Sequence, residues 1–273
     1  MEKNKMKVEV LIACMYQTDF SIIEKTNIQS DVLIINQCDT DKEESCNFLN
    51  RKGVECNARI IHTTERGVSR SRNMAIENAI GDICLICDDD ERLEDDYADK
   101  LIYWFDKFSE SSVIASRFVI PDNYYVKKVF WDNPLVINYK NALKISSWQI
   151  AFKRNHILDN NIRFDPEIGS GVTNAGGEEK IFLHDCLSKG LKVYYQPDII
   201  GHISFNDSQW VNHLFTKEYF IDWGYYARRL KGGRFMAVLL SAAFAVKKRK
   251  EYGGTCSLWG AWINMLKGIF IKK

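Results

Sequence analysis

Four short apolar runs divide the first third of the chain at regular intervals. They begin near Val8, Val32, Ala58 and Ile83, about one every 25 residues, with polar or helical segments between them. The last run, Ile83 to Cys87, shows no polar alternation, as expected for a central parallel strand covered on both faces. This rhythm predicts βαβ units, which form an α/β fold with a Rossmann-like, mostly parallel sheet flanked by helices.

A predicted helix precedes the strand predicted at Ile83, and a group of acidic residues follows it. Apolar residues at helical spacing predict a helix from about Arg70 to Ile80, with Ser69 as its N-cap. On the other side, the strand ends on three consecutive aspartates, Asp88 to Asp90. The strand therefore delivers an acidic cluster to one edge of the predicted sheet.

The aspartates at the end of this strand have two explanations. Adjacent like charges at the end of a buried strand are costly, and open α/β sheets bind ligands at the carboxyl ends of their strands, so a hard divalent cation would fit there. The other explanation is a solvated acidic turn that leads into a helix, whose dipole favours acid in the first turn. The triplet alone does not decide between them.

Further elements extend the α/β pattern beyond the triplet. Tyr97 to Phe108 has the pattern of an amphipathic helix, and Ser112 to Ile120 and Leu191 to Tyr195 have the pattern of strands. The aromatic-rich segment 121–150, which includes Trp148, suits either ordinary core or a wall on which sugar rings stack.

A glycine-rich segment precedes two glutamates in the later part of the chain. Four glycines lie between Gly169 and Gly177, and Glu178 and Glu179 open a predicted helix. Acid at a helix N-terminus has a structural explanation in the helix dipole, but a pliant loop that delivers a carboxylate also suits a general base. Farther on, His202 is either structural or a metal ligand.

The C-terminal region differs from the rest in charge. The chain has a formal net charge of +1, yet residues 228–273 hold eleven lysines or arginines and one acid, Glu251. Phe235 to Val246 is apolar or small throughout, but a helix of that length, about 18 Å, cannot cross a bilayer core of about 30 Å. We predict that residues 207–273 form a helical, basic tail that either packs on the core or lies on an anionic membrane surface, and we favour the membrane.

Composition and missing motifs narrow the class of protein. The 273 residues, 46% of them hydrophobic, are typical of a globular domain. No G-x-G-x-x-G follows the first strand and no G-x-x-x-x-G-K-[ST] occurs, which argues against a dinucleotide cofactor and a P-loop enzyme. Several of the eight cysteines lie in apolar strand patterns and are expected to be reduced thiols of a cytosolic protein, and no signal peptide is visible.

Taken together, these segments resemble the inverting family 2 glycosyltransferases of GT-A fold, over roughly residues 7–205. That family carries a G-x-x-x-A-R-N helix, a G-D pair before a strand, an aspartate motif after it, and a late Gly-Glu-Asp that opens a helix. The corresponding segments of this chain are Gly67 to Asn73, with Ser71 at the alanine position, Gly81-Asp82, Asp88 to Asp90, and Gly177 to Glu179.

The chain departs from the family pattern at three points. Its first strand ends in Cys14 to Gln17, where the family usually has Pro-x-Tyr-Asn, and its second strand is followed by Asn36-Gln37, where the family often has Asp-Asp. An amide still offers a donor and an acceptor to a base edge, so the departure leaves open which base is bound. Glu179 occupies the position of the catalytic base, where aspartate is commoner.

The resemblance implies a metal-dependent, inverting transfer of a sugar from a nucleotide sugar, with UDP as the expected nucleotide. The acceptor would be a hydroxyl of a glycan or lipid-linked glycan, in bacterial surface polysaccharide synthesis. Glu179 would be the catalytic base, and Asp88, Asp90 and His202 would hold Mn²⁺ or Mg²⁺. Donor contacts are expected from Tyr16, Gln37, Asp39, Arg72 and Asp89, and acceptor contacts from Trp148, Gly177 and Glu178.

The same resemblance divides the chain into regions and names its partners. Residues 1–206 would form the GT-A domain, with a nucleotide-sugar-binding half at 1–90 and an acceptor half at 91–206, ahead of the tail at 207–273. Expected partners are the donor, the acceptor and an anionic membrane surface at the inner face of the cell membrane, with no nucleic acid.

Two other functions stay open at this stage. A nucleotidyltransferase also has aspartates at strand ends, but it would be expected to carry a glycine-rich, basic loop after the first strand. A non-catalytic module of the same fold that binds a membrane surface is the second alternative.

Overall fold

The computed structural model describes residues 6–121, 128, 130–203 and 214–271. Within these residues ten strands form a single sheet, and helices cover both of its faces. The strands are β1 (Val8–Met15), β2 (Asp31–Gln37), β3 (Lys42–Leu49), β4 (Glu55–Thr63), β5 (Ile83–Asp88), β6 (Glu91–Leu93), β7 (Ser111–Val119), β8 (Leu135–Val136), β9 (Ile150–Lys153) and β10 (Lys192–Ile203).

The helices of the described part of the chain follow the strands in the predicted alternation, up to a C-terminal group that is helical throughout. They are α1 (Ile22–Lys25), α2 (Val68–Asn78), α3 (Tyr97–Lys107), α4 (Tyr139–Ala142), α5 (Arg154–Asp159), α6 (Glu178–Ser188), α7 (Lys217–Arg229), α8 (Gly233–Lys247), α9 (Arg249–Tyr252) and α10 (Leu258–Phe270).

The sheet is mixed but mostly parallel, in the order β3-β4-β2-β1-β5-β9-β7-β10-β6, with β8 paired to β10. Strands β4, β2, β1 and β5 form a continuous parallel block, and β7 and β10 are also parallel. Strand β9 runs antiparallel between β5 and β7 and joins the two blocks. The predicted α/β fold with a mostly parallel sheet is confirmed.

The hydrophobic core lies in two layers, one on each face of the sheet. In β1, Val10 and Ile12 face the layer that contains α3, while Leu11 faces the layer that contains α2, as the two-residue period of a strand requires. Strand β5 is buried along its whole apolar run, so the residues predicted to form a central strand do so.

Some element boundaries differ from the sequence predictions. Helix α2 starts at Val68, two residues earlier than predicted, and Ser69 is not its N-cap, because the cap position is Gly67 and the Ser69 hydroxyl donates to the carbonyl oxygen of Ile168 at 2.6 Å. Strand β3 was not predicted, since its sequence is largely polar and it lies at an exposed sheet edge. Strand β10 continues well past the predicted end, with a break in its register after Tyr195.

The predicted helical tail packs closely on itself and on the body of the protein. Ile181 of α6 joins Tyr225 and Tyr226 of α7 in one buried cluster. Helices α7 and α10 touch backbone to backbone, because a Cβ on Gly224 would lie 2.0 Å from the carbonyl oxygen of Met265. Within the described residues, no helix is long and apolar enough to cross a membrane.

Because α7 and α10 are in close backbone contact, adding one methyl group at this contact should lower the stability of the protein. A Cβ on Gly268 would lie 1.8 Å from the carbonyl oxygen of Ile221, and backbone cannot give way as a flexible side chain does. We expect Gly268→Ala to lower the free energy of unfolding by about 1–3 kcal/mol in urea titrations, although alanine is the better helix former. Gly254→Ala is the control, because nothing lies within 4 Å of its Cβ; equal stability of the two variants would contradict the close contact.

Candidate active site

The carboxyl ends of the parallel strands bring several predicted site residues to one edge of the sheet. Met15 at the end of β1 pairs with Gln37 at the end of β2, and Gln37 pairs with Thr63 at the end of β4. Asp88 at the end of β5 pairs with Ala13 of β1. This is the edge at which open α/β sheets bind ligands.

An exposed aromatic ring and a carboxylate meet beyond β1 and β2. The Tyr16 side chain is exposed, and its hydroxyl lies 3.3 Å from the Asp39 carboxylate. Arg66 binds the same carboxylate at 2.8 Å, and its guanidinium lies 5.8 Å from the centroid of the Tyr16 ring. The predicted donor residues Tyr16 and Asp39 are therefore neighbours, and the open ring offers a face on which a planar base can stack.

The side-chain amides of the last two residues of β2 hold the surrounding loops in place. The Gln37 side chain is buried, and its carbonyl oxygen accepts a hydrogen bond from the Gly67 backbone at 2.8 Å. Asn36 accepts from the Gln17 N–H and donates to the Gln17 carbonyl oxygen. The carbonyl oxygen of Gln37 is therefore committed to the start of α2, and the predicted contact of this residue with a base stays a prediction for its amide N–H.

A buried arginine connects three separate elements of the site. Arg72 on α2 is 5% exposed and donates to Asp88 of β5 at 2.9 Å and to Glu178 of α6 at 2.8 Å. Burial alone would lower the pKa of Arg72, but the two carboxylates outweigh that effect and raise the pKa, so the guanidinium stays charged.

This geometry gives Arg72 a structural role. Both terminal nitrogens of the guanidinium are bound by carboxylates of the protein itself, and the donor contact of Arg72 stays a prediction. Arg72 is a positioning residue: it fixes the end of β5 relative to the start of α6. The predicted acceptor contact of Glu178 needs correction, because its second oxygen accepts from the Gly177 backbone at 3.0 Å.

The acidic cluster at the end of β5 has the electrostatics of a cation site. Burial, together with the charges of Asp88 and Asp89, raises the pKa of Asp90 to about 6. The next residue, Glu91, is 2% exposed, and burial together with the charges of Asp88 and Asp90 raises its pKa well above the usual value. Crowded carboxylates are stabilised by a hard divalent cation, which prefers oxygen ligands, so Asp88 and Asp90 fit Mg²⁺ or Mn²⁺.

His202 does not join these aspartates. It lies on β10, where it pairs with Arg92 of β6, and its imidazole contacts the carboxylate of Glu94. Among the residues that the structure describes, no group of three or more His, Cys, Asp or Glu side chains is arranged to hold a metal ion. The predicted three-ligand set of Asp88, Asp90 and His202 is therefore not assembled, because Glu94 engages the histidine.

The candidate base lies in the first turn of α6, close to a lysine. Glu179 is 8% exposed and forms an ion pair with Lys180. Burial alone would raise the pKa of Glu179, but Lys180, a backbone hydrogen bond and the more distant Lys128 together lower it. The carboxylate is therefore ionised at neutral pH, which is the form that accepts a proton.

Helix α2 also holds the glycine-rich loop that leads to α6. Asn73 donates to the carbonyl oxygen of Phe164 and accepts from its N–H, each at 2.8 Å. At the end of the loop Gly177 has a φ of 128°, and a Cβ there would lie 2.5 Å from the ring of Tyr226. The predicted acceptor contact of Gly177 is replaced by a requirement for backbone freedom and space where α6 begins.

Trp148 lies in the hydrophobic core. Its side chain is 5% exposed. Its ring packs edge-on against Phe118, with ring centroids 5.0 Å apart, and lies near Phe130. Among the described residues the ring is almost fully covered, which favours a core role, and the acceptor contact of Trp148 stays a prediction.

Sequence analysis missed three charged residues that shape the site. Lys180 pairs with the candidate base, Arg66 binds Asp39 and the carbonyl oxygen of Cys38, and Glu91 adds a buried carboxyl beside the triplet. Lys180 and Arg66 lie next to the segments that resemble the family motifs, and that position was the only indication in the sequence that they belong to the site. In sequence, a single charge of this kind is indistinguishable from one on a solvated surface.

Known proteins share both sequence and fold with this chain. The family model for Glycosyl transferase family 2 matches residues 15–172. The fold resembles S. aureus TarS residues 1–349 in complex with UDP-GlcNAc, with a TM-score of 0.68 and 14% identity over 97% of this chain and 80% of that chain. TarS 1–349 in complex with UDP gives a TM-score of 0.64 and 15% identity, with the same coverage of both chains.

A second protein shares the fold at lower similarity. The mannosyltransferase PcManGT from Pyrobaculum calidifontis, in complex with GDP-Man and Mn²⁺, matches with a TM-score of 0.53 and 12% identity over 97% of this chain and 74% of that chain. No curated protein sequence matches the chain. At these identities the solved structures establish the shared fold.

We call the two ion pairs of Arg72, with Asp88 and Glu178, the Arg72 clamp. Removing the guanidinium from this clamp should cause a large loss of stability. Arg72→Met leaves the carboxylates of Asp88 and Glu178 without their shared cation, and breaking such a buried pair costs about 3–5 kcal/mol of unfolding free energy. Urea unfolding of Arg72→Met, Glu178→Gln and the double variant measures the coupling. We expect the double variant to be more stable than the sum of the single losses implies.

A matched surface arginine separates this effect from loss of charge in general. Arg51 binds Asp95 at 2.9 Å, but both side chains are more than half exposed, so Arg51→Met should change stability far less. Strictly additive losses in the cycle of Arg72 and Glu178 would show that the two side chains do not stabilise each other.

Proposed function

Because the chain belongs to glycosyl transferase family 2, we propose that it transfers a sugar from a nucleotide-sugar donor to a hydroxyl group, with inversion of the anomeric carbon. The observation that carries this proposal is the Arg72 clamp, which binds Asp88 at 2.9 Å and Glu178 at 2.8 Å. One guanidinium thereby holds the acidic strand end next to the helix that begins with Glu178 and Glu179. A transfer of this kind needs two groups close together: the carboxylates that hold a cation against the donor diphosphate, and the general base.

The donor side of the site is proposed to bind a uridine diphosphate sugar. The exposed ring of Tyr16 would stack on the base, and Asp39, 3.3 Å from its hydroxyl, would accept a hydrogen bond from the base or ribose. The similar structures of TarS hold UDP-GlcNAc and UDP, and that of PcManGT holds GDP-Man, which supports a nucleotide-sugar donor in general.

A divalent cation, Mn²⁺ or Mg²⁺, is proposed at the end of β5. Asp88 and Asp90 would hold it, because Arg72 occupies only one oxygen of Asp88, and burial together with the charges of Asp88 and Asp89 raises the pKa of Asp90. When bound, the ion neutralises charge on the leaving nucleoside diphosphate. Asp89 is exposed and remains a proposed donor contact. His202 is not proposed as a ligand, because its imidazole contacts the carboxylate of Glu94.

Glu179 is proposed as the general base. Its lowered pKa keeps it ionised, and its ion pair with Lys180 fixes the carboxylate at the start of α6. The carboxylate would take the proton from the acceptor hydroxyl as that oxygen attacks the anomeric carbon opposite the leaving diphosphate. One displacement of this kind inverts the anomeric configuration.

The acceptor is proposed to be a glycan or lipid-linked glycan of bacterial surface polysaccharide synthesis. In this proposal residues 1–90 bind the nucleotide sugar, residues 91–206 face the acceptor, and residues 207–273 hold the protein on the inner face of the cell membrane. The eleven cations of residues 228–273, against one acid, support a location at an anionic surface.

Glu179→Gln tests the proposed base. We expect turnover to fall about 10²- to 10⁴-fold, because glutamine keeps the shape of the side chain but cannot accept the proton. The assay measures release of nucleoside diphosphate from a panel of nucleotide sugars with Mn²⁺ and an acceptor preparation. No release from any donor by the parent protein would contradict the proposed function itself.

A second variant separates catalysis from stability at this position. Glu179→Gln leaves the largely buried ammonium of Lys180 without its partner, so some loss of thermal stability is expected. The double variant Glu179→Gln/Lys180→Gln removes that unpaired charge and should recover stability while turnover stays low. If turnover recovers along with stability, Glu179 is structural and not the base.

Asp90→Ala tests the proposed cation site. We expect the variant to lose the Mn²⁺-dependent part of donor affinity in calorimetry, since one of two carboxylate ligands is gone. Without metal its melting temperature should be equal to or higher than that of the parent, because repulsion within the triplet is relieved. Asp132→Ala is the control, with a side chain that is 92% exposed; unchanged metal dependence in Asp90→Ala would favour a solvated turn.

A further inference from the structure

Helix α8 has small residues at its fully buried positions and exposes several large apolar residues, while Val238, Leu240 and Phe244 are half-buried against the neighbouring helices. Its buried positions are Ala237, Ser241 and Ala245. Its exposed apolar side chains include Phe235 at 76%, Leu239 at 50% and Val246 at 65% exposure. A helix on the surface of a soluble protein normally has its large apolar residues facing the core. The outward face of α8 therefore lacks the contact for which its residues are suited.

Helix α10 buries Met265 and Ile269 on its inward side but also exposes large apolar residues on its other side. Gly268 lies against the backbone of α7, while Trp259, Ile263 and Phe270 are exposed at 65%, 48% and 57%. These three positions are spaced by four and seven residues, so they share one side of the helix. The close approach that Gly268 allows turns this side away from the core.

Helices α8 and α10 contact each other at Ser241, an inward position of α8. The indole N–H of Trp262 on α10 donates to the Ser241 hydroxyl of α8 at 3.1 Å, so the helices are neighbours. At one end of the pair, the guanidinium of Arg234 lies 6.0 Å from the ring centroid of Phe270, and both side chains are exposed. We call this combined surface the apolar face, defined by Phe235, Leu239, Val246, Trp259, Ile263 and Phe270.

Cations border the apolar face with almost no acid between them. The exposed basic residues on these helices and their connection are Arg234, Lys247, Arg249, Lys250 and Lys267. The one acid between Arg228 and Ile271 is Glu251, which Lys248 binds at 2.8 Å. An apolar surface with a cationic rim has the composition that binds at the boundary between acyl chains and anionic headgroups.

We infer that the apolar face docks on the surface of an anionic phospholipid bilayer, with the axes of α8 and α10 parallel to the membrane. Phe235, Leu239 and Trp259 enter the headgroup boundary, and the basic rim contacts lipid phosphates. Because no described helix can cross a bilayer, the contact is peripheral. The inference rests on the proposed function only in the choice of the cytoplasmic leaflet, where a lipid-linked acceptor would be found.

A second copy of the chain suits this surface less well than lipid. A symmetric contact would place the same cationic rim on both sides of the interface, with Glu251 already paired to Lys248. Like charges brought together in this way oppose association, whereas anionic phosphates compensate them. Charge complementarity therefore selects the lipid surface.

Sedimentation with vesicles tests the inference on the full chain. We expect binding to phosphatidylcholine vesicles that contain phosphatidylglycerol and much weaker binding to phosphatidylcholine alone. Leu239→Glu/Trp259→Glu should weaken binding about tenfold or more, and Lys247→Gln/Lys250→Gln about fivefold for each lysine removed. The matched control is Leu49→Glu, at an exposed leucine on β3, which should bind as the parent does.

The outcomes separate this inference from the proposed function. Vesicle binding needs no donor, and release of nucleoside diphosphate from a soluble donor should be unchanged in Leu239→Glu/Trp259→Glu, whose side chains are at least half exposed. Equal binding of that variant and the parent would overturn the inference. So would light scattering that finds a dimer which the variant disperses, because a second copy would then cover the face.

Discussion

The arrangement of the site depends on one buried charge. Arg72 is held away from water on α2, and an isolated cation in that environment would be strongly destabilising. Two carboxylates compensate it, Asp88 from the end of β5 and Glu178 from the start of α6, although they are 90 residues apart in the chain. Neither element can move without leaving a buried charge unpaired. The candidate metal ligands Asp88 and Asp90 and the candidate base Glu179 are thus held in place relative to each other, because a buried charge must stay paired.

Several features of this region make the contact of Arg72 with Asp88 and Glu178 possible. The strands of the parallel block end at one edge of the sheet, and Asp88 lies there beside Ala13 of β1. On the other side, Asn73 fastens the glycine-rich loop to α2, because its side-chain amide N–H donates to the Phe164 carbonyl oxygen and its carbonyl oxygen accepts from the Phe164 N–H. Gly177 then lets α6 begin against the ring of Tyr226. The geometry of the site is therefore distributed over a strand end, a helix and a loop, none of which is sufficient alone.

The parts that could be predicted from sequence are those whose signal is local. The run from Ile83 to Cys87 and the helix beginning at Glu178 were recognised because burial and capping leave a pattern within a few residues. The contacts of Gln37, Trp148 and His202 were not, because each depends on a distant partner. Gln37 is committed to Gly67, Trp148 packs on Phe118, and His202 contacts Glu94. A strand such as β3 is missed for a related reason, since its polar sequence is stabilised by pairing with β4 and not by its own hydrophobicity.

The same helix that supports the candidate base also supports the apolar face. Tyr226 of α7 contacts Gly177, immediately before Glu178, while Gly224 of α7 packs against the backbone of α10. Helix α7 therefore lies between α6 and the pair α8 and α10. Gly224 and Gly268 let α7 and α10 approach closely, while Met265 and Ile269 fill the inner side of α10. The large apolar residues of α8 and α10 that remain exposed lie on the other side of this helical group, which α7 connects to the start of α6.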